Sequence, residues 1–320
     1  MTAEDGSSGA ATATRHSRPE VRWLGLTERQ IALGLLFIAP ALFCSNMLTA
    51  RATHDLFPPV ALAFWRWTAT FALLLPFTAA TLWRCRAAVA TEWRDVLVLG
   101  ALGMGVCGAF VYIGADTTSA TNIGLIYSAS PILIVVLARV FYSEPLSPLQ
   151  GAGILLSLVG VIAIVCRGEL EVLTSLSFSP GDLWIVAAMS AWAVYAILLR
   201  HRPSALPMMV RFAAIVAGGV LILLPFTVME GLGGERPHWD GRSFLTVGFL
   251  AVFASFGAYQ VYALIQRSLG AGPTSLLMYL VPVYNSLLAY LLLGESLHGY
   301  HLIGAALVLP GIFLATRKTA

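Results

Sequence analysis

Charge is what this chain has least of. Charged residues make up only 11% of its 320 residues, against about 25% in an average soluble domain. A single lysine, Lys318, stands among 19 basic residues, and no basic run resembles a nucleic-acid surface. The four cysteines (Cys44, Cys85, Cys107, Cys166) form no C-x-x-C pair, so they read as small apolar fillers, not as a disulfide frame or a metal site. H-E-x-x-H, G-x-S-x-G and the Walker A loop are all missing, and His16, His54, His201, His238, His298 and His301 show no metal spacing. These absences argue against an enzyme, a metal or cofactor protein and a nucleic-acid binder.

Apolar side chains are what the chain has most of, at 58% with mean hydropathy +0.82. A soluble globule of this size cannot cover that many apolar groups with so few charges. The sequence therefore predicts an all-α membrane protein. Ten apolar stretches, at about 31–50, 58–82, 95–114, 119–142, 148–166, 182–200, 207–228, 243–265, 271–293 and 300–316, can each cross a hydrocarbon layer of about 30 Å as a helix. Residues 1–30 read as a flexible tail, 167–181 as a linker and 317–320 as a second tail. Ala50-Arg51-Ala52 matches a signal-peptidase pattern, but the apolar stretch before it is too long for a signal core, and cleavage is not expected. With the N-terminus inside, thirteen Lys and Arg fall in inner segments and four in outer ones, which places both termini in the cytoplasm.

An internal repeat organises the spans. At an offset of 151, residues 120–160 give ten identities in 41 positions, including Pro131 with Pro282, Glu144 with Glu295, Gly153 with Gly304 and Gly160 with Gly311. Earlier residues match at 149: Arg51 with Arg200, Pro76 with Pro225, Phe77 with Phe226. In that register Phe43 faces Trp192 and Asn46 faces Tyr195. The repeat units are 31–166 and 182–316. Each holds five spans, an odd number, so the second copy enters the membrane inverted. Two inverted five-helix repeats around a central cavity are a construction used by alternating-access transporters.

Ser143-Glu144-Pro145-Leu146 and Gly294-Glu295-Ser296-Leu297 each close a proline-containing span and precede a glycine-rich one, and Asn46 lies in the first span. In these features the chain resembles the drug/metabolite transporter superfamily, in particular its EamA-type ten-helix members. Overall similarity points within them to bacterial inner-membrane exporters of aromatic amino acids. Where many members carry Trp-Gly before the first-span Asn, this chain has Phe43-Cys44-Ser45. The resemblance implies a monomeric secondary transporter exporting amino acids or related metabolites across the bacterial inner membrane. Nucleoside or drug efflux by the same fold, and a channel, stay open as alternatives.

Candidate residues follow from polarity inside spans. No carboxylate falls mid-span, which disfavours a buried-acid proton relay and cationic cargo and favours a neutral or zwitterionic solute. Arg66 is the basic residue deepest in a span, either a partner for a substrate carboxylate or a packing arginine near the outer interface. Asn46, Tyr112, Trp192, Tyr195, Tyr259, Gln260 and Tyr279 are the further cavity candidates, with Phe43 and Tyr127 beside them. Pro131 and Pro282, each thirteen residues before a Glu, are expected to bend their helices at symmetry-related places and act as hinges. Glu144 and Glu295 are expected to be structural, each meeting the positive N-terminus of the next helix.

Overall fold

The computed structural model describes residues 22–23, 26–52, 56–169, 171–174, 177, 179–293 and 296–316. Arg22–Trp23 and Leu26–Thr27 form a two-residue antiparallel ladder, after which the chain is helical. The spanning segments are α1 (Glu28–Ala52), α2 (Pro59–Arg84), α3 (Trp93–Ala115), α4 (Ala120–Ser128 and Ser130–Tyr142), α5 (Pro148–Val165), α6 (Pro180–His201), α7 (Met208–Leu232), α8 (Gly241–Leu269), α9 (Ala271–Ser275 and Leu277–Leu293) and α10 (Gly299–Thr316). Among the described residues nine of these are unbroken enough, long enough and apolar enough to cross a membrane. The tenth, α9, is interrupted at Leu276. The protein is a multi-pass, all-α membrane protein, with the ten segments placed as the hydropathy pattern predicts. Helix α1 starts at Glu28, inside the expected tail, because Thr27 and Gln30 make a reciprocal cap: Gln30 N donates to Thr27 Oγ1 at 3.3 Å and Thr27 N to Gln30 Oε1 at 2.9 Å.

The packing repeats when each helix number is raised by five. Helix α1 packs on α8 and α9, and α6 packs on α3 and α4. Helix α2 packs on α8, and α7 on α3. The self-paired contacts are α2 with α7 and α5 with α10. Both self-pairs are antiparallel. Glu230, at the end of α7, accepts hydrogen bonds from Val60 N (3.0 Å) and Ala61 N (2.7 Å) at the start of α2. Equivalent helices thus run in opposite directions, and the two repeats are inverted.

Four repeat-matched glycines close the α5–α10 contact. A Cβ on Gly153 would lie 2.4 Å from Gly311 O, and one on Gly160 would lie 2.7 Å from Gly304 O. Reciprocally, Cβ atoms on Gly304 and Gly311 would lie 2.7 Å from Gly160 O and Gly153 O. Lipid tails are as apolar as leucine, so helices in a bilayer associate through such close backbone approach and not through hydrophobic burial. Ser147 caps α5 with a reciprocal Gln150 bond and Pro148 at the first turn. Asp240 caps α8 by accepting from Ser243 N at 2.7 Å, which holds its carboxyl below the usual carboxylate range.

Helices α3 and α8 each contain a π-helical stretch, Ala101–Val106 and Leu250–Gly257. These stretches begin 149 residues apart and end 151 apart. The change in repeat offset therefore sits in the π-turns, where a helix absorbs extra residues without breaking. Helix α4 breaks at Ala129, two residues before Pro131, which occupies the first turn of the second piece. Helix α9 breaks at Leu276, six residues before Pro282, and runs continuously through that proline. The interruption in α9 thus lies more than one turn before its proline, whereas that in α4 lies beside Pro131.

Candidate functional site

Arg66 lies one-third of the way along α2, where Pro58-Pro59 starts the helix. Its side chain is only 3% exposed. Nη1 donates to Asn46 Oδ1 of α1 and to Tyr112 Oη of α3, both at 2.8 Å, and Tyr112 Oη donates to the same Asn46 oxygen at 2.6 Å. The guanidinium carbon sits 4.5 Å from the Trp67 ring centroid and 5.7 Å from that of Tyr112. Nε has no hydrogen-bond partner among the described residues. The ion pairs among those residues are His201–Glu144 and Arg202–Asp95, so Arg66 has no carboxylate partner there. A buried cation without a counter-charge is costly.

Beside Arg66 lies a cavity of about 660 Å³ between the repeats. Asn46, Arg66, Trp192 and Tyr259 line it, together with Phe43 and Tyr127. The aromatic rings interlock: Trp67–Tyr259 centroids are 5.0 Å apart, Trp192–Tyr259 5.7 Å and Phe43–Trp192 5.8 Å, all near edge-to-face. Tyr259 Oη donates to Gly103 O at 3.3 Å, in the π-helical stretch of α3. Gly108 lets α3 approach the Arg66–Trp67 pair closely, since a Cβ there would lie 2.9 Å from Trp67 Nε1 and 3.8 Å from Arg66 Nη2.

Four candidates lie off this wall. Tyr195 is 1% exposed and packs on Gly103 behind Trp192, where an added Cβ at Gly103 would touch its ring at 2.8 Å. Tyr279 is fully buried in the bundle, and Gln260 does not border the cavity. Tyr112 does not border it either, but holds Arg66 and Asn46. Sequence reasoning missed Asn285 and Ser286 of α9, which do line it. The available signal was rarity: the chain has three asparagines, Asn46, Asn122 and Asn285, all within spans. Asn122 is engaged by Asp182, donating at 3.0 Å to each carboxylate oxygen, whereas Asn285 Oδ1 has no partner among the described residues.

One end of the cavity is open. Its rim includes Arg167, Ser296, His298, Tyr300 and His301. Arg167 and Gly168 adopt left-handed φ of +56° and +76°, and Gly168 N bonds Ala163 O at 2.9 Å, which ends α5 in a tight turn at that rim. The opposite end is closed. Tyr142, at the end of α4, stacks on His201, at the end of α6, with centroids 3.7 Å apart and planes 10° apart. His201 Nε2 lies 2.9 Å from Glu144 Oε1. Gln266 Nε2 of α8 donates to Ala196 O of α6 at 2.8 Å. Glu144 thus bridges the repeats through His201, while Ser147 and Gln150 satisfy the start of α5. Pro131 is buried beside the α4 break and Pro282 lines the cavity. Glu295 lies outside the described residues.

The comparisons agree with this architecture. The chain is 28% identical to the uncharacterized transporter YyaM of Bacillus subtilis over 272 residues, covering 83% of this chain and 87% of that protein. It is 24% identical to the inner membrane transporter YedA of Escherichia coli, covering 88% and 90%. It is 26% identical over 201 residues to a probable amino-acid metabolite efflux pump of Salmonella typhimurium, covering 59% and 65%. A solved crystal structure at 23% identity superposes with a TM-score of 0.71 over 90% of this chain and 96% of its own, and shares the fold. The EamA-like transporter family profile matches residues 30–166 and 179–317, the two five-helix repeats in turn. The chain belongs to the EamA-like transporter family.

Proposed function

We propose that this transporter exports amino acids, aromatic and other neutral ones, across the bacterial inner membrane by alternating access between its two repeats. The observation that carries the substrate reading is Arg66, a buried guanidinium without a carboxylate partner among the described residues, on the wall of an aromatic cavity. A zwitterionic solute supplies the missing carboxylate, for which a guanidinium offers bidentate geometry. Phe43, Trp192 and Tyr259 offer the apolar surface that an aromatic or aliphatic side chain needs. Asn46 and Asn285 add the few polar anchors typical of such sites. The efflux pump among its relatives, named for amino-acid metabolites, favours the same cargo.

The charge bias orients the reading. Arg84, Arg94, Arg200, Arg202 and Arg267 gather at the end where Tyr142, Glu144 and His201 close the bundle. On the positive-inside rule that end is cytoplasmic, both termini are cytoplasmic and the cavity opens outward. Unloading to the outside fits an exporter. The cycle then needs an inward-open partner state, reached when the α4–α6 closure parts and the outer rim meets.

The test is counterflow in proteoliposomes preloaded with unlabelled solute, with labelled L-phenylalanine outside. Saturable exchange that Arg66→Gln reduces by at least about tenfold, roughly the loss expected of one charge-assisted contact, supports the reading. Exchange of nucleosides or cationic drugs, but of no amino acid, would overturn it.

A further inference from the structure

The wall of the cavity treats the two charged ends of a zwitterion unequally. Its charged or titratable cationic side chains are Arg66, Arg167, His298 and His301, and no Asp or Glu is among its described lining residues. Arg66 offers more than its sign. Nη1 is fully committed to Asn46 and Tyr112, which fixes the plane of the guanidinium. Nε, on the other edge, is buried and unpartnered among the described residues, and Gly108 puts no side chain between α3 and this edge. The Nε–Nη2 edge is one of the two forks on which a guanidinium receives both oxygens of a carboxylate. No comparable acceptor awaits an ammonium group. The side-chain acceptors on the wall are neutral amide and hydroxyl oxygens, among them those of Asn46, Asn285, Tyr127 and Ser286, and that of Asn46 already accepts two bonds.

We infer that the site recognises organic carboxylates as a class, and that the α-amino group of an amino acid is dispensable for binding. The substrate is then defined by one carboxylate on the side edge of Arg66 and one apolar body against Phe43, Trp192 and Tyr259. This inference rests on the proposed placement of cargo on Arg66, but not on the cargo being an amino acid. Aryl-alkanoic acids should enter the same site, and amines of the same shape should not.

Three probes of one shape separate the two ends: L-phenylalanine, 3-phenylpropionate, which lacks the amine, and phenethylamine, which lacks the carboxylate. Binding of each to the purified full-length protein is measured by quenching of intrinsic tryptophan fluorescence, and uptake of each labelled probe is measured in proteoliposomes. The expected result is an affinity for 3-phenylpropionate within about threefold of that for phenylalanine, and for phenethylamine at least tenfold weaker. Arg66→Gln should bring the three affinities together. Arg66→Lys, which keeps the charge and loses the fork, should keep the order and weaken both carboxylates. If phenylalanine binds while 3-phenylpropionate does not, or phenethylamine binds as well as phenylalanine, the inference fails and the amino-acid reading stands. If 3-phenylpropionate is carried and phenylalanine is not, the inference stands and the amino-acid reading fails. If none of the three binds, both fail.

Discussion

The first repeat supplies the buried guanidinium of the site, whereas both repeats supply its aromatic wall, Phe43 and Tyr127 from the first and Trp192 and Tyr259 from the second. In the first, α1, α2 and α3 bring Asn46, Arg66 and Tyr112 into one hydrogen-bonded triangle. At the repeat offset of 149, Asn46 corresponds to Tyr195 and Arg66 to Ile215, and both counterparts are buried in packing. The two repeats therefore share a scaffold, while the buried guanidinium stands in one of them. On the proposed function, the scaffold halves match so that either can close its own end of the passage, whereas a carboxylate cargo needs only one charged anchor. The helices that flank the cavity differ in the same way. Helix α4 is tied to α6 at both ends, by Asn122 and Thr118 to Asp182 and by Glu144 to His201. Helix α9 is held to α1 by lighter bonds, Cys44 Sγ to Val281 O at 3.4 Å and Tyr284 Oη to Phe37 O.

The comparison can be broken at the shared scaffold first. Gly311→Leu forces a side chain into Ser157 Oγ and Gly153 O, 2.3 and 2.7 Å from its Cβ, and should abolish monodisperse protein in size-exclusion chromatography. Gly160→Leu should do the same from the other repeat, and a normal profile for either variant would remove the symmetric contact. Next comes the asymmetric anchor. Arg66→Gln should lower transport by at least about tenfold, while the conservative change at its counterpart, Ile215→Val, should leave transport intact and cost about 0.5–1.5 kcal/mol of stability. Equal transport losses would mean the repeats share the site. Smaller is the effect of Glu144→Gln. The pair is part-exposed, at 19% and 31%, so the change should weaken the closed end by about 0.5–1 kcal/mol and shift the conformational equilibrium two- to fivefold toward inward-open. It is read as increased labelling of a cysteine at Tyr142. Smallest is Ser147→Ala, which removes the α5 cap and should cost about 0.5–2 kcal/mol, visible as a lower midpoint in thermal unfolding with no change in exchange.

Much of the fold could be read from the residues because bilayer physics writes it plainly. Long apolar runs mark helices, and an odd number of spans in each repeat forces inversion. The matched pairs Gly153/Gly304 and Gly160/Gly311 proved to be the crossing of two related helices, with each glycine meeting its opposite number. The small change in offset was visible too, but not its form. A π-turn keeps the apolar pattern running, so hydropathy does not distinguish it from a loop insertion. Site residues were legible where polarity inside lipid is costly, as at Arg66 and Asn46. Aromatic residues carry no such signal. Trp192 and Tyr259 reach the cavity while Tyr195 and Tyr279 are spent on packing, and all four look alike in sequence. Glu144 misled for a related reason. Its place before a helix suggested a structural role at that helix start, but its partner, His201, is more than fifty residues away in the other repeat.

Opposed motion of the two ends is the core of this account. Spin labels in a cysteine-free background, one pair at Leu146 and Ala205 near the Glu144–His201 closure and one at Thr117 and Ser296 across the open rim, report both ends by pulsed dipolar spectroscopy. Solute and pH conditions that lengthen the first distance should shorten the second, with two populations exchanging in each. Two distances that lengthen together, or a first pair that stays short throughout turnover while exchange continues, would contradict it.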